Sequence, residues 1–231
     1  METVFIETIQ GVLLFSNSLI EYPNNIQERV NTMAETSLGN PAVVGLAGFG
    51  TTTLLLQSHN LGLCGAGVVF CCALAFGGGA QLIAGYQEFK VGNNFGYSAF
   101  CSYGAFWIAL ALIFMVSDFQ VAKDTWIGAH LKIGAGDLGW FLVAYTIYTA
   151  IMFVASLAVH TAMIFTFGTL ILGFIGLDLE ILAGMGSIKT LVSLDLILCA
   201  LGAYYMMAHV IFLQVYGRDV LPVGKPWAKK G

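Results

Sequence analysis

What most constrains this chain is a succession of apolar stretches, six between residues 40 and 216, each near the ~20 residues that an α-helix needs to cross a bilayer. Hydrophobic residues make up 58% of the 231 positions, charged residues 10%, and the mean hydropathy is +0.84. No ordinary soluble domain has that balance. The chain therefore reads as an all-α membrane protein, a six-transmembrane-helix protomer with an N-terminal amphipathic helical extension. Its 28 glycines fit, because helices in lipid associate through small residues rather than through hydrophobic driving force. Three regions are expected: an amphipathic helix and connector over 1–38, the membrane domain over 39–216, and a tail over 217–231.

In the first region Ile6, Ile9, Leu13 and Ile20 interleave with Glu2, Glu7, Gln10 and Asn17, an amphipathic helical pattern. No Lys or Arg precedes the apolar part, which argues against a cleaved signal peptide. Glu7 and the short apolar run argue against a span, so this helix is expected in the membrane interface or on the rim of an oligomer. Residues 21–39, with Pro23, Asn24 and Asn25, read as a connector.

The first core helix, residues 40–60, reads NPAVVGLAGFGTTTLLLQSHN. Asn40 is suited to cap it, and Pro41 to its first position, where a missing N–H costs nothing. Leu46, Phe49, Thr53 and Gln57 share one face by helical spacing. That face either lines a path or belongs to a packing helix. Gly45, Gly48 and Gly50 lie off it, where neighbours can approach closely.

Further spans are expected at 61–86, 96–117, 137–159, 162–184 and 191–215. In the second, Gly77, Gly78 and Gly79 favour close backbone contact, and Gln81, Gly85 and Glu88 share a face. Glu88 reads either as a functional carboxylate or as a structural group near a helix end. Tyr103 and Trp107 stand one turn apart on the third span, and residues 118–136 read as a polar loop. Asp178 and Glu180 are expected at a mouth, where charge is tolerated. Asp195 and His209 are expected near opposite ends of the last span, as solvated rim residues or as members of a proton path.

Counting Lys and Arg gives Arg29, Lys90, Arg218, Lys225, Lys229 and Lys230 on one side, and Lys123, Lys132 and Lys189 on the other. Both termini are therefore expected in the cytoplasm of a multi-pass plasma-membrane protein. The scattered basic residues give nucleic-acid binding no support. The five cysteines fall in apolar stretches without metal or redox spacing and read as small buried hydrophobes. His59, His130, His160 and His209 are far apart in sequence, so no metal site is expected, and no cofactor. Nor is there an HExxH pair, a phosphate-binding glycine loop or a nucleophile elbow, so no enzyme is expected.

Several motifs together carry a resemblance. NPAVVGLAGFGTTTLLLQSHNLGL, GGGAQLIAGYQEFKVGNNFGYSAFCSYGAFW and GRDVLPVG resemble, in order, NPAPxGLxGFGxTTxLLxxHNxG, GGxAQxxAGxxExxxGNxFGxxAFxSYGxFW and GRxxLPxG of the acetate uptake transporter family. Val43 departs from the second proline of the first motif, and the N-terminal region looks like an extension beyond compact bacterial members. The resemblance implies a homohexamer of six-helix protomers, each with its own pore for acetate or another small carboxylate. It also implies an apolar constriction formed by an aromatic, a tyrosine and an aliphatic. By motif the first two fall on Phe49 and Tyr103; Leu170 is placed by alignment alone.

A small carboxylate needs hydrogen-bond donors in the vestibules and a tight apolar neck. Asn40, Thr53, Gln57 and Gln81 are the expected capture and hydrogen-bonding residues, while Glu88, Asp195 and His209 are the candidates for proton coupling. Whether the acid or the anion crosses stays open. The competing readings are a neutral-solute channel for urea, an amide or ammonia, an aquaporin-like pore, which would need a second NPA triplet, and a scaffold or sensor without flux.

Overall fold

The computed structural model describes residues 39–117, 126 and 130–229. The expected N-terminal helix and most of the 118–136 loop lie outside these residues. Asn40–Gly231 forms one compact unit. Its helices are α1 (Ala42–Asn60), α2 (Ala66–Leu74), a π-helical turn (Ala75–Ala80), α3 (Gln81–Lys90), α4 (Asn94–Ser117), α5 (Ala135–Ser156), α6 (Thr161–Leu182) and α7 (Lys189–Tyr216). Among the described residues five stretches are long and apolar enough to span a membrane: Ala66–Lys90, Asn94–Ser117, Gly136–Ser156, Thr161–Leu182 and Gly186–Tyr216. The 19 residues of α1 are long enough for a sixth, diluted in hydropathy by glycine and threonine.

Asn40 caps the chain's turn into α1, its Oδ1 accepting from the Ala42 N–H at 3.0 Å. The helix proper begins at Ala42, one residue later than expected, although Pro41 already has helical angles. α1 then packs against α2, the π turn, α3, α4 and α7, while α7 also packs on α6 and α6 on α5. Glycines make these contacts possible. A Cβ on Gly48 would stand 2.7 Å from the Phe76 carbonyl oxygen, and one on Gly77 would strike the Thr52 side chain.

The π turn in AFGGGA is the local feature that helical periodicity missed. A π turn inserts one residue into the α register and rotates everything after it. Its product is the inward direction of Gln81 and Glu88, both fully or nearly fully buried.

Crossing alternately, the chain brings Asn40, the α3–α4 turn, the break before α6 and the end of α7 to one end of the bundle. At the break, His160 has extended angles and its Nδ1 accepts from the Met163 N–H at 3.1 Å, capping α6. Gly217 ends α7 in the left-handed region, φ 64°. The tail then folds back as a strap over the start of α6. Ala162 N–H donates to the Val223 carbonyl at 2.9 Å, Thr161 Oγ1 to that of Lys225 at 2.9 Å, and Trp227 N–H to that of Leu157 at 2.9 Å.

Two expectations need correction. Among the cysteines only Cys199 is fully buried, and Cys71 is exposed on the outer surface of α2, where lipid rather than protein suits a thiol. Asp195 is half-buried rather than solvated, with Oδ2 enclosed and lacking a hydrogen-bond partner, because Gly173 of α6 lets α7 come close at that point.

Candidate functional site

Among the described residues, two neighbouring cavities lie along the inside of the bundle. The larger, about 360 Å³, occupies the end that carries Asn40, Asn93, His160, His209 and Val223, and reaches inward to Phe49, Tyr103 and Leu170. The smaller, about 30 Å³, lies deeper against Thr53, Gln57, Trp107 and Phe174. Phe49, Tyr103 and Leu170 border both. They come from α1, α4 and α6 and are 8%, 3% and 4% exposed.

The local chemistry of this partition is aromatic and apolar. Phe49 and Tyr103 meet edge to face with ring centroids 5.6 Å apart, and Phe167 stands 6.2 Å from Tyr103. The Tyr103 hydroxyl is turned aside to Thr149 on α5, 2.8 Å away. Satisfying that hydroxyl laterally leaves the ring bordering both cavities.

Polar groups stand on both sides. Gln81 borders the larger cavity with Nε2 and Oε1 both buried and without a hydrogen-bond partner. Thr53 Oγ1 and Trp107 Nε1 are likewise unpartnered beside the smaller one. Gln57 there accepts from Asn60 Nδ2 at 3.0 Å. Among the described residues, neither lining contains Lys or Arg. Buried polar atoms are nearly always satisfied, so unpartnered ones around cavities are places where a solute or water can bind.

The α1 face written in sequence as Leu46, Phe49, Thr53 and Gln57 thus borders the two cavities in succession. Asn40, Gln81 and His209 gather around the larger one. Glu88 and Asp195 border neither. Glu88 Oε2 instead accepts from Asn93 Nδ2 at 2.7 Å, as the α3–α4 turn closes over it. Asp178, also away from the cavities, accepts from Thr146 Oγ1 at 2.7 Å and ties α5 to α6.

Sequence reasoning missed His160. It is 49 positions from His209, yet both border the larger cavity. Burial, and then the neighbouring His209, lower the His160 pKa below its ordinary value of 6.5, disfavouring the charged ring. His209 Nδ1 lies 2.7 Å from the Leu221 carbonyl and 3.3 Å from Asp219 Oδ1. Since a carbonyl only accepts, that nitrogen carries hydrogen. Among the described residues no cluster of His, Cys, Asp and Glu is suited to hold a metal.

A helical membrane domain whose interior cavities meet at an apolar partition defines a membrane transport protein. Its sequence relationships agree with that class. Residues 23–215 match the GPR1/FUN34/yaaH family model, and the chain belongs to that family. It is 34% identical over 194 residues to the succinate-acetate/proton symporter SatP of Escherichia coli, covering 84% of this chain and 99% of the relative. Acetate permease A of Emericella nidulans is 34% identical over 65% of this chain and 50% of its own length. The ammonia transport outward protein 2 of Saccharomyces cerevisiae is 38% identical over 50% of this chain and 45% of its own. The solved bacterial acetate channel SatP superposes with a TM-score of 0.74 at 34% identity, covering 81% of this chain and 100% of that one.

Proposed function

We propose that this protein carries acetate and related small monocarboxylates, with succinate at the limit of size, across the plasma membrane through a path inside each protomer. The observation that supports this best is the pair of cavities sharing only Phe49, Tyr103 and Leu170, with unpartnered polar atoms on either side. The larger cavity is a vestibule where Asn40 and Gln81 receive the carboxyl group, and the three shared residues are the neck. Thr53, Gln57 and Trp107 receive the solute beyond it. The protomers assemble as a homohexamer, with vestibule and both termini on the cytoplasmic side. The chain acts without a cofactor and catalyses no covalent step.

His209 is placed to exchange protons with the vestibule, whereas Glu88 and Asp195 would have to act from outside the cavities. The second reading, a neutral-solute channel, draws support from the lack of Lys and Arg among the described residues of both linings. Labelled acetate flux into proteoliposomes separates the two. Protein-dependent uptake inhibited by propionate and indifferent to urea is the expected result; inhibition by urea alone would favour the neutral-solute channel.

A further inference from the structure

On the outside of the bundle, α6, α7 and the strap enclose a groove of about 550 Å³, open on one side, between Phe165, Leu198, Leu201, Tyr205, Pro222 and Val223. Phe165, Leu198 and Leu201 are 49%, 49% and 51% exposed, on two helices long and apolar enough to span a membrane. From Leu198 to Tyr205 the groove follows α7 for about 10 Å. Among the described residues its lining has no charged side chain, and its two hydroxyls are committed to the strap. That of Tyr205 donates to the Pro222 carbonyl at 2.8 Å, and that of Thr161 to the Lys225 carbonyl at 2.9 Å. The groove therefore suits an apolar occupant.

Cations collect at its strap end. Lys225 directly follows the lining residue Gly224, and Lys225, Trp227 and Lys229 are all exposed. Among the described residues neither lysine has an ion-pair partner, the pair at this end being His209 with Asp219. No Asp or Glu occurs from 220 to 229. An apolar wall that ends in exposed lysines and a tryptophan is the chemistry of the membrane interface, where Trp sits at headgroup level and Lys meets lipid phosphate.

We propose that this groove seats an acyl chain of an anionic phospholipid whose phosphate lies against Lys225 and Lys229, so that the bound lipid clamps the strap onto α6. An anionic phospholipid answers both features at once, chain to wall and phosphate to ammonium. A zwitterionic headgroup brings its own ammonium and gains less. Val223 borders both this groove and the vestibule, so the lipid holds a segment that completes the vestibule lining. The seat does not depend on what crosses the neck.

The test is native mass spectrometry of the whole purified protein in detergent, with phosphatidylglycerol and phosphatidylcholine of identical acyl chains. The unaltered protein should prefer phosphatidylglycerol about 30-fold, the attraction of two interfacial cations, and salt should weaken that preference. Lys225→Gln with Lys229→Gln keeps the backbone groups that tie the strap to α6, and should bring the preference close to unity. Leu201→Trp fills the groove from an exposed position with charge unaltered, and should lower phosphatidylglycerol retention about tenfold by displacing acyl carbons from the wall. Amide exchange at residues 162 and 227 should slow when phosphatidylglycerol is added.

Equal retention of the two lipids by the unaltered protein overturns the proposal, as does full preference in the lysine double variant. Undiminished retention by Leu201→Trp, or displacement of the lipid by excess inorganic phosphate, would leave a surface attraction without an acyl seat and overturns it too. A Leu201→Trp protein whose oligomeric mass changes while its lipid count does not would give the groove to a second copy of the chain. If Leu201→Trp does not assemble, the lysine double variant and phosphate competition decide.

Discussion

Phe49 on α1 and Tyr103 on α4 touch edge to face, with ring centroids 5.6 Å apart, where the two interior cavities come together. Phe49 has no polar atom to satisfy, so its bulk alone can be changed. Phe49→Ala should widen the neck and raise the acceptance of succinate or butyrate relative to acetate about tenfold or more, since even one methylene in a fitted apolar pocket is worth that much discrimination. Competition of labelled acetate uptake by a graded series of acids reads it. Unchanged selectivity in an assembled variant would place the limiting contact elsewhere.

Tyr103 has a second duty, which separates it from Phe49. Its hydroxyl and that of Thr149 are 2.8 Å apart in a buried site, and Thr149 is wholly enclosed. Tyr103→Phe should leave the neck shape intact but orphan Thr149, costing about 1 to 3 kcal/mol of stability. Tyr103→Phe with Thr149→Val removes both partners, and should be less harmful than the sum of the single changes. A double-mutant cycle of detergent unfolding, with acetate selectivity unchanged throughout, tests this.

The legible parts of this molecule were those governed by period and length. Helical spacing put Leu46, Phe49, Thr53 and Gln57 on one face, and that face is where the cavities lie. Gly48 and Gly77 read as close-approach points because a missing Cβ has the same meaning in any helix pair. The remainder depended on register and on distant contacts. One extra residue in the π turn reorients Gln81 and Glu88, and AFGGGA gives no periodic signal of it. His160 and His209 meet only because α6 begins where α7 ends, which no local pattern records. Asp195 looked superficial because its depth along α7 was readable and the α6 wall beside it was not.

Acid should loosen the vestibule rim through His160. Its Nδ1 accepts the Met163 N–H, so protonation of that nitrogen abolishes the cap. The native pKa lies below the ordinary 6.5, chiefly through burial and further through His209, so the unfolded state binds more protons as pH falls. The stability from this residue is therefore present above pH 6.5 and is lost as pH drops through the lowered native value. Hydrogen exchange at Met163, corrected for intrinsic rates, should show protection declining from pH 7 to pH 5. His160→Asn, which caps without titrating, should retain protection across that range, and the cap itself is worth about 1 kcal/mol. Equal pH dependence in both proteins would assign the change to another group.

The strap hinges on Gly224. Its φ of 80° is one that only glycine adopts without strain, and a Cβ there would lie 2.6 Å from Thr161 Cβ and Oγ1. Both costs fall on the segment whose residue 223 completes the vestibule lining. Gly224→Ala should therefore lift the strap off α6, breaking the Ala162 to Val223, Trp227 to Leu157 and Ala228 to Leu157 hydrogen bonds together. Amide exchange at residues 162, 227 and 228 should accelerate in step, while that of the buried α4 segment around Tyr103 stays slow. Because the strap also contacts His209 through Leu221 and Asp219, the variant should bring acetate faster to the larger cavity without altering the selectivity proposed for Phe49, Tyr103 and Leu170. A change in selectivity equal to that of Phe49→Ala would mean that the strap and the neck are mechanically one element.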